Sequence, residues 1–160
     1  MIPTKEETIS CLNYYSENNN FKGLCGNMKD VDQAFRDKLQ KIVELLDKGN
    51  LSGCYIVSRN ITGFSTTLDY DDGILISELL EGVFSQIGPL FETYDINDGD
   101  KKQLSSDIKN RVAAIIEHYR DEDKNQLYLA LQQTRAIATK FQLNRWESGK
   151  RKRRVRESEE

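Results

Sequence analysis

The chain has 160 residues, which is the length of one domain with a single core. Charged residues make up 31% of it and hydrophobic residues 38%, which excludes a disordered chain and a mainly membrane-embedded one. The net charge is −3. Ten Gly and only two Pro argue against collagen-like, linker-rich and turn-dense all-β architectures, so a helical domain is expected.

The N-terminal part of the sequence predicts two helices. The first covers about residues 4–17, where a capping-box pattern precedes apolar residues at helical spacing. Residues 18–27 are rich in Asn and Gly and predict a loop. Asn27 can cap the second helix, which ends near Gly49. Its apolar face is formed by Val31, Phe35, Leu39, Ile42 and Leu46.

A short β-hairpin is predicted at about residues 53–67. Cys54 to Ser58 is rich in β-branched and aromatic residues, and residues 61–67 add Thr and Phe after the Arg59-Asn60 pair. An isolated hairpin is marginally stable in water, so it must pack on the helices or pair with the edge of a second copy. The second arrangement gives a structural homodimer as one alternative.

A third helix is predicted after the acidic residues Asp69, Asp71 and Asp72. Its broad apolar face indicates a central position, and Gly88-Pro89 is expected to kink or divide it. That face comprises Ile76, Leu79, Leu80, Val83, Ile87, Leu90 and Phe91.

The C-terminal part predicts an antiparallel pair of helices joined by a short turn. The fourth helix covers about residues 101–120, and the fifth runs from Asp123 to about Trp146. The predicted fold is therefore mainly α, an irregular bundle of about five helices with one short β-hairpin.

The sequence predicts an intracellular, cytoplasmic protein without membrane contact. The densest apolar stretch, Ile74 to Phe91, is interrupted by polar residues, and the acidic N-terminus lacks the order of a signal peptide. Three widely spaced cysteines, Cys11, Cys25 and Cys54, are typical of buried thiols in a reducing compartment.

The charge is distributed unevenly along the chain. Residues 150–160 contain six basic and three acidic residues, which leaves residues 1–149 with a net charge of −6. The sequence thus predicts a single helical domain over 1–149 and a flexible basic C-terminal tail over 150–160. An acidic body repels nucleic acid unless its charges are segregated, so contact with a polyanion is expected in the tail.

Three interpretations of the basic tail stay open. It binds nucleic acid, it acts as a nuclear import signal in a eukaryotic cell, or it only keeps the terminus solvated. In the first case Arg145 and Trp146, just upstream, add stacking to the cations. The candidate nucleic-acid-binding residues are Lys150, Arg151, Lys152, Arg153, Arg154, Arg156, Arg145 and Trp146.

Candidates for chemistry are few, and neither a cofactor nor a metal is expected. Asp95 to Asp100 starts like a calcium loop, but Gly99 occupies a ligand position, which favours an acidic turn before the fourth helix. The single histidine, His118, excludes sites that need two. With Glu117 and Asp121 it is the only weak catalytic candidate, for a small hydrolase or transferase that could also use a cysteine.

The function favoured by the sequence is a non-catalytic interaction or adaptor domain. Its acidic body is expected to bind a protein, and its basic tail to contact nucleic acid or an acidic partner, as in an accessory subunit of a nucleoprotein assembly. The alternatives are the His118-based enzyme and the structural homodimer.

Overall fold

The computed structural model describes residues 28–152, with Met28 and Lys29 described by their backbone alone. The predicted helix at 4–17 and the loop at 18–27 lie outside this range. Five helices make up 84% of the described residues, so the prediction of a mainly helical fold is confirmed. They are α1 (Met28–Asp47), α2 (Leu51–Thr67), α3 (Asp71–Thr93), α4 (Asp98–His118) and α5 (Asn125–Ser148).

The five helices form a closed ring. Around it, α1 packs against α2, α2 against α3, α3 against α5, α5 against α4, and α4 against α1. Neighbours in the ring are antiparallel except α3 and α5. These two are parallel, because Lys124 lies 3.5 Å from Asp72 at their starts and the Phe91 and Phe141 rings stack near their ends. The largest fully buried side chains include Phe35, Leu39, Ile61, Phe84, Ile108 and Tyr119.

The predicted hairpin at 53–67 is wrong, since this segment is helix α2. Asn50 caps the helix by accepting a hydrogen bond from the Gly53 amide at 2.9 Å. Thr hydroxyls of the predicted second strand instead bond within the helix, as when Thr67 donates to the Gly63 carbonyl at 2.8 Å. A stripe spaced three and four residues apart is buried in the core, and it overrides β-propensity: Cys54, Val57, Ile61, Phe64 and Leu68.

Helix α3 continues through Pro89 and ends at Thr93, so the expected division near Gly88 does not occur. Within the described range, α3 alone has the length and apolar composition that would allow a helix to cross a membrane. These two properties also fit a core helix, so they are weak evidence for a span. Eight α3 residues are buried in the ring: Gly73, Ile76, Ser77, Leu80, Val83, Phe84, Ile87 and Leu90.

The connection between α3 and α4 passes the C-terminal end of α5, because α5 lies between these two helices in the ring. There, Tyr94 and Arg151 form an isolated antiparallel β-bridge. The Asp95 amide donates to the Lys150 carbonyl at 2.7 Å, and the Lys152 amide to the Thr93 carbonyl at 2.8 Å. Residues 150–152, the start of the predicted tail, are thus held against the bundle.

Gly149 makes this close approach possible. Its φ is −69°, so the residue is needed for space and not for a left-handed backbone. A Cβ at this position would lie 2.4 Å from the Arg145 carbonyl oxygen and 2.9 Å from the Tyr94 ring. The sequence predicts that the fifth helix ends at about Trp146, and the structure places the C-cap of α5 at Gly149.

Two glycine substitutions test the helical state of α2. Gly63→Ala is expected to raise the free energy of unfolding by about 0.5–1 kcal/mol, because Gly63 lies inside a helix and a Cβ there meets no atom within 4 Å. Gly73→Ala is the contrasting variant. Its Cβ would lie 2.3 Å from Ser65 Oγ and 2.7 Å from the Tyr70 ring, so a loss of about 1–3 kcal/mol is expected.

Urea unfolding of the full chain measures both changes. A loss of stability in Gly63→Ala would contradict a helical conformation for residues 51–67.

Candidate functional site

The two ends of the ring differ in charge. At one end, residues 69–72 and 117–124 contain seven carboxylates and two basic side chains, and we call this the acidic end. At the other, which we call the basic end, residues 47–50, 93–102 and 145–152 contain seven basic and five acidic side chains. Charge in the described part is therefore segregated along the bundle axis, so net charge alone does not exclude contact with a polyanion.

His118, Glu117 and Asp121 lie together at the acidic end, where α4 ends. The His118 Nδ1 atom is 2.7 Å from Asp121 Oδ2, and its Nε2 atom is 3.9 Å from Glu117 Oε2. The His118 side chain is 27% exposed, whereas Glu117 is 74% exposed. The described cavities are lined by other residues. The geometry thus provides one imidazole–carboxylate pair on a solvated turn.

Asp32 of α1 connects three parts of the ring beside this turn. Its Oδ1 atom accepts a hydrogen bond from the Tyr70 hydroxyl at 2.6 Å, and its carbonyl accepts one from the Tyr119 hydroxyl at 3.1 Å. Arg120 Nε lies 3.5 Å from Asp32 Oδ2. Burial, followed by Asp32, raises the pKa of both tyrosines. The aromatic rings of both tyrosines also pack edge-on against Phe35. The network therefore links the first half of α1 to the residue before α3 and to the residue after α4.

Cys54 lies in the core, as the sequence predicts, and Cys11 and Cys25 lie outside the described residues. Burial raises the pKa of the Cys54 thiol to about 12. A thiolate nucleophile needs the opposite shift, so this cysteine is a packing residue.

The acidic turn before α4 caps that helix. Asn97 Oδ1 accepts a hydrogen bond from the Asp100 amide at 2.7 Å, which is the helix-capping role predicted for this segment. Within residues 28–152, His, Cys, Asp and Glu do not gather into a group of three that could hold a metal ion.

The candidate nucleic-acid-binding residues that the structure describes fall into two groups. Arg145 is only 17% exposed, lies 3.6 Å from Asp100 and stacks on Phe141, so it is engaged within the bundle. Trp146 is 60% exposed. Lys150 and Lys152 hold the α3–α4 connection through their backbones, and Arg151 lies over the Tyr94 ring. Arg153, Arg154 and Arg156 lie outside the described residues.

An exposed face of α5 is the feature that sequence reasoning missed. The buried face of this helix includes Leu127, Leu131, Thr134 and Ala138, spaced alternately by four and three residues. A second row with the same spacing lies about 200° around the helix, on the opposite face. We call it the outer seam: Leu129, Gln132, Ala136, Thr139, Leu143 and Trp146.

The outer seam faces solvent for most of its length. Leu129, Leu143 and Trp146 are 46%, 43% and 60% exposed, and Tyr128 beside them is 49% exposed. Large exposed apolar side chains are uncommon elsewhere in the described part, where Leu75 is the remaining one. The heptad spacing could have revealed the seam, but the more apolar buried face hides it in the sequence.

Comparisons with models of protein families, with curated proteins and with solved structures found no match. The function is therefore inferred from the side chains of this chain.

An alkaline titration tests the buried thiol. An unfolded cysteine ionises near its ordinary pKa of 9.0, and Cys54 in the folded chain only near 12. Between these values the unfolded chain releases a proton that the folded chain keeps, so the free energy of unfolding is expected to fall as pH rises. Below pH 9 the full contribution is present. Tyr70 and Tyr119 act in the same direction above pH 10.

Urea unfolding between pH 8 and 10 measures this fall, with Cys54→Ala as the comparison. The variant is expected to show a shallower decline, because its position 54 no longer titrates. Equal slopes in both chains would contradict the raised pKa of Cys54.

Proposed function

We propose that this chain is a non-catalytic interaction domain that binds an acidic amphipathic helix of a partner protein along the outer seam of α5. The observation that carries the proposal is the exposed heptad row from Leu129 to Trp146, which leads directly into a basic segment. A helix that is apolar on both faces leaves one face uncovered when it packs into a bundle.

The geometry of the outer seam fits a helix as its occupant. Leu129 and Leu143 are four turns apart, about 21 Å along the axis, which is the length of a helix–helix contact. Ala136, near the middle, is exposed and small, so a partner helix can approach closely there. Spacings of three and four residues suit the knobs-into-holes packing of helices that cross at about 20°.

The charge beside the outer seam defines the chemistry of the partner. Lys150, Arg151 and Lys152 follow Trp146 closely and are held by the α3–α4 connection, so their positions relative to the seam are defined. The first turn of α5 follows directly on the acidic end instead. A partner helix with acidic residues near its Trp146 end complements this arrangement, and charge complementarity selects its orientation.

Nucleic acid is the competing ligand for the same end of α5. An exposed tryptophan followed by cations is also the arrangement that stacks on a base and neutralises phosphates. The homodimer of the sequence analysis relied on a hairpin that is absent from residues 51–67, so self-association would instead pair two outer seams.

Trp146 fluorescence provides the test, because it is the only tryptophan in the chain. The probe is a synthetic helical peptide of about four heptads with Leu at a and d and Glu at e and g, whose like charges disfavour self-pairing. Its addition is expected to shift the Trp146 emission to shorter wavelength. The double variant Leu129→Ser/Leu143→Ser should weaken binding at least about tenfold, because each leucine loses its buried contact.

Three controls make the result specific. Gln40→Ser, an exposed change on α1, should leave peptide binding unchanged, and a peptide with Lys in place of Glu should bind more weakly. An equal response to both peptides would contradict the acidic partner. A response to single-stranded DNA alone, lost when the chain is truncated after Lys152, would replace the protein partner with nucleic acid.

Sedimentation of the protein without peptide or DNA tests self-association through the outer seam. A dimer that is lost in Leu129→Ser/Leu143→Ser would make a second copy of the chain the occupant of the outer seam.

A further inference from the structure

A second surface at the basic end of the ring has the features of an anion site. A cleft of about 430 Å³ lies between the C-terminal end of α1 and the first half of α4. This volume is in the range of small-molecule sites. Four of its lining residues are lysines: Lys48 follows α1, and Lys101, Lys102 and Lys109 belong to α4.

The carboxylates of the cleft neutralise only part of this charge. Asp47 lies 2.5 Å from Lys109 Nζ, and Asp98 is the other lining carboxylate. Within residues 28–152, Lys48, Lys101 and Lys102 have no carboxylate within ion-pair distance, and Lys101 lies 5.9 Å from the centre of the Phe91 ring. Four lysines therefore face two carboxylates, which leaves two positive charges in the cleft.

Ser105 supplies an independent observation. It is 5% exposed and lines the cleft, and its hydroxyl has no hydrogen-bond partner within the described part. A buried hydroxyl without a partner destabilises the folded state, and a ligand in the cleft that accepts its hydrogen bond would offset this cost. An oxygen atom of a bound anion would accept its hydrogen bond.

A smaller cavity of about 230 Å³ adjoins the cleft and shares Gly49 and Lys101 with it. Its lining includes Phe84, Phe91 and Leu51, whose side chains offer apolar contacts to an organic group. One ligand that extends across Lys101 could place its charged part among the lysines and its organic part against the phenylalanines.

We propose that the lysine cleft binds an organic diphosphate, with the diphosphate group held by Lys48, Lys101 and Lys102 and hydrogen-bonded by the Ser105 hydroxyl. Two adjacent phosphate groups match three lysines that have no ion-pair partner within residues 28–152, whereas a monocarboxylate would leave most of this charge uncompensated. The proposal is independent of the outer seam, because no seam residue lines the cleft.

Calorimetric titration of the full chain tests the proposal with two probes, inorganic pyrophosphate and adenosine diphosphate. Both should bind at one site per chain, and adenosine diphosphate more tightly if the adjoining cavity takes an organic group. Lys48→Gln/Lys102→Gln is expected to weaken binding of both probes at least about tenfold, because two of the phosphate-binding charges are lost. The charge-matched control is Lys41→Gln/Lys140→Gln, which leaves the cleft intact and should bind normally.

Ser105→Ala separates binding from folding. It should weaken pyrophosphate binding about three- to tenfold and leave the melting temperature unchanged or higher, because the variant removes an unpartnered buried hydroxyl. A variant with lower stability and unchanged affinity would overturn the role of Ser105.

Truncation after Lys152 tests whether pyrophosphate binds to the rest of the basic tail instead of the cleft. Pyrophosphate binding should survive this truncation, since none of the described tail residues, 150–152, lines the cleft. Loss of binding on truncation, equal loss in both lysine pairs, or the absence of measurable heat with both probes would overturn the proposal.

Discussion

The parallel packing of α3 against α5 is the constraint on which the rest of the structure depends. All other neighbours in the ring are antiparallel, and three of these four pairs are joined by short connections along the chain. Since α5 lies between α3 and α4, the chain must pass its C-terminal end to reach α4. Gly149 allows this passage, and the bridge between Tyr94 and Arg151 fixes it.

This passage determines where the functional candidates lie. It brings the end of α5, the start of α4 and the first tail residues to one end of the bundle, where the lysine cleft and Trp146 are also found. The same ring leaves the outer seam of α5 uncovered, because α3 and α4 pack against its other sides. The positions of the outer seam and of the lysine cleft therefore follow from which helices are neighbours in the ring.

The sequence predicted the helices in which apolar residues at helical spacing agree with the local residue preferences. In α1 one apolar stripe fixes the helix from Asn27 to Gly49, and the structure has it at Met28–Asp47. In α2 local preference and burial disagree: β-branched and Thr residues favour a strand, but the spacing of Cys54, Val57 and Ile61 meets the core. Tertiary contacts decided the outcome, and these are not visible in local composition.

The candidate site was less predictable, because it depends on residues distant in sequence. Arg145 was assigned to nucleic acid from its place beside Trp146, but its side chain pairs with Asp100 across two helices. The lysine cleft brings Lys48 together with Lys101 and Lys102. Lys48 is over fifty positions away from the other two in the sequence, so no local motif indicates the cleft. His118 and Asp121 lie within contact distance because they are three residues apart at a helix end.

The opposite charges of the two ends give residues 28–152 a permanent electric dipole along the bundle axis. In the field of a negatively charged partner, such a molecule rotates before contact, and its basic end arrives first. Trp146 and the lysine cleft are both at that end, so an encounter with such a partner would bring the two proposed binding surfaces to it first. Added salt shortens the range of this alignment, and it therefore slows association more than it loosens a complex already formed.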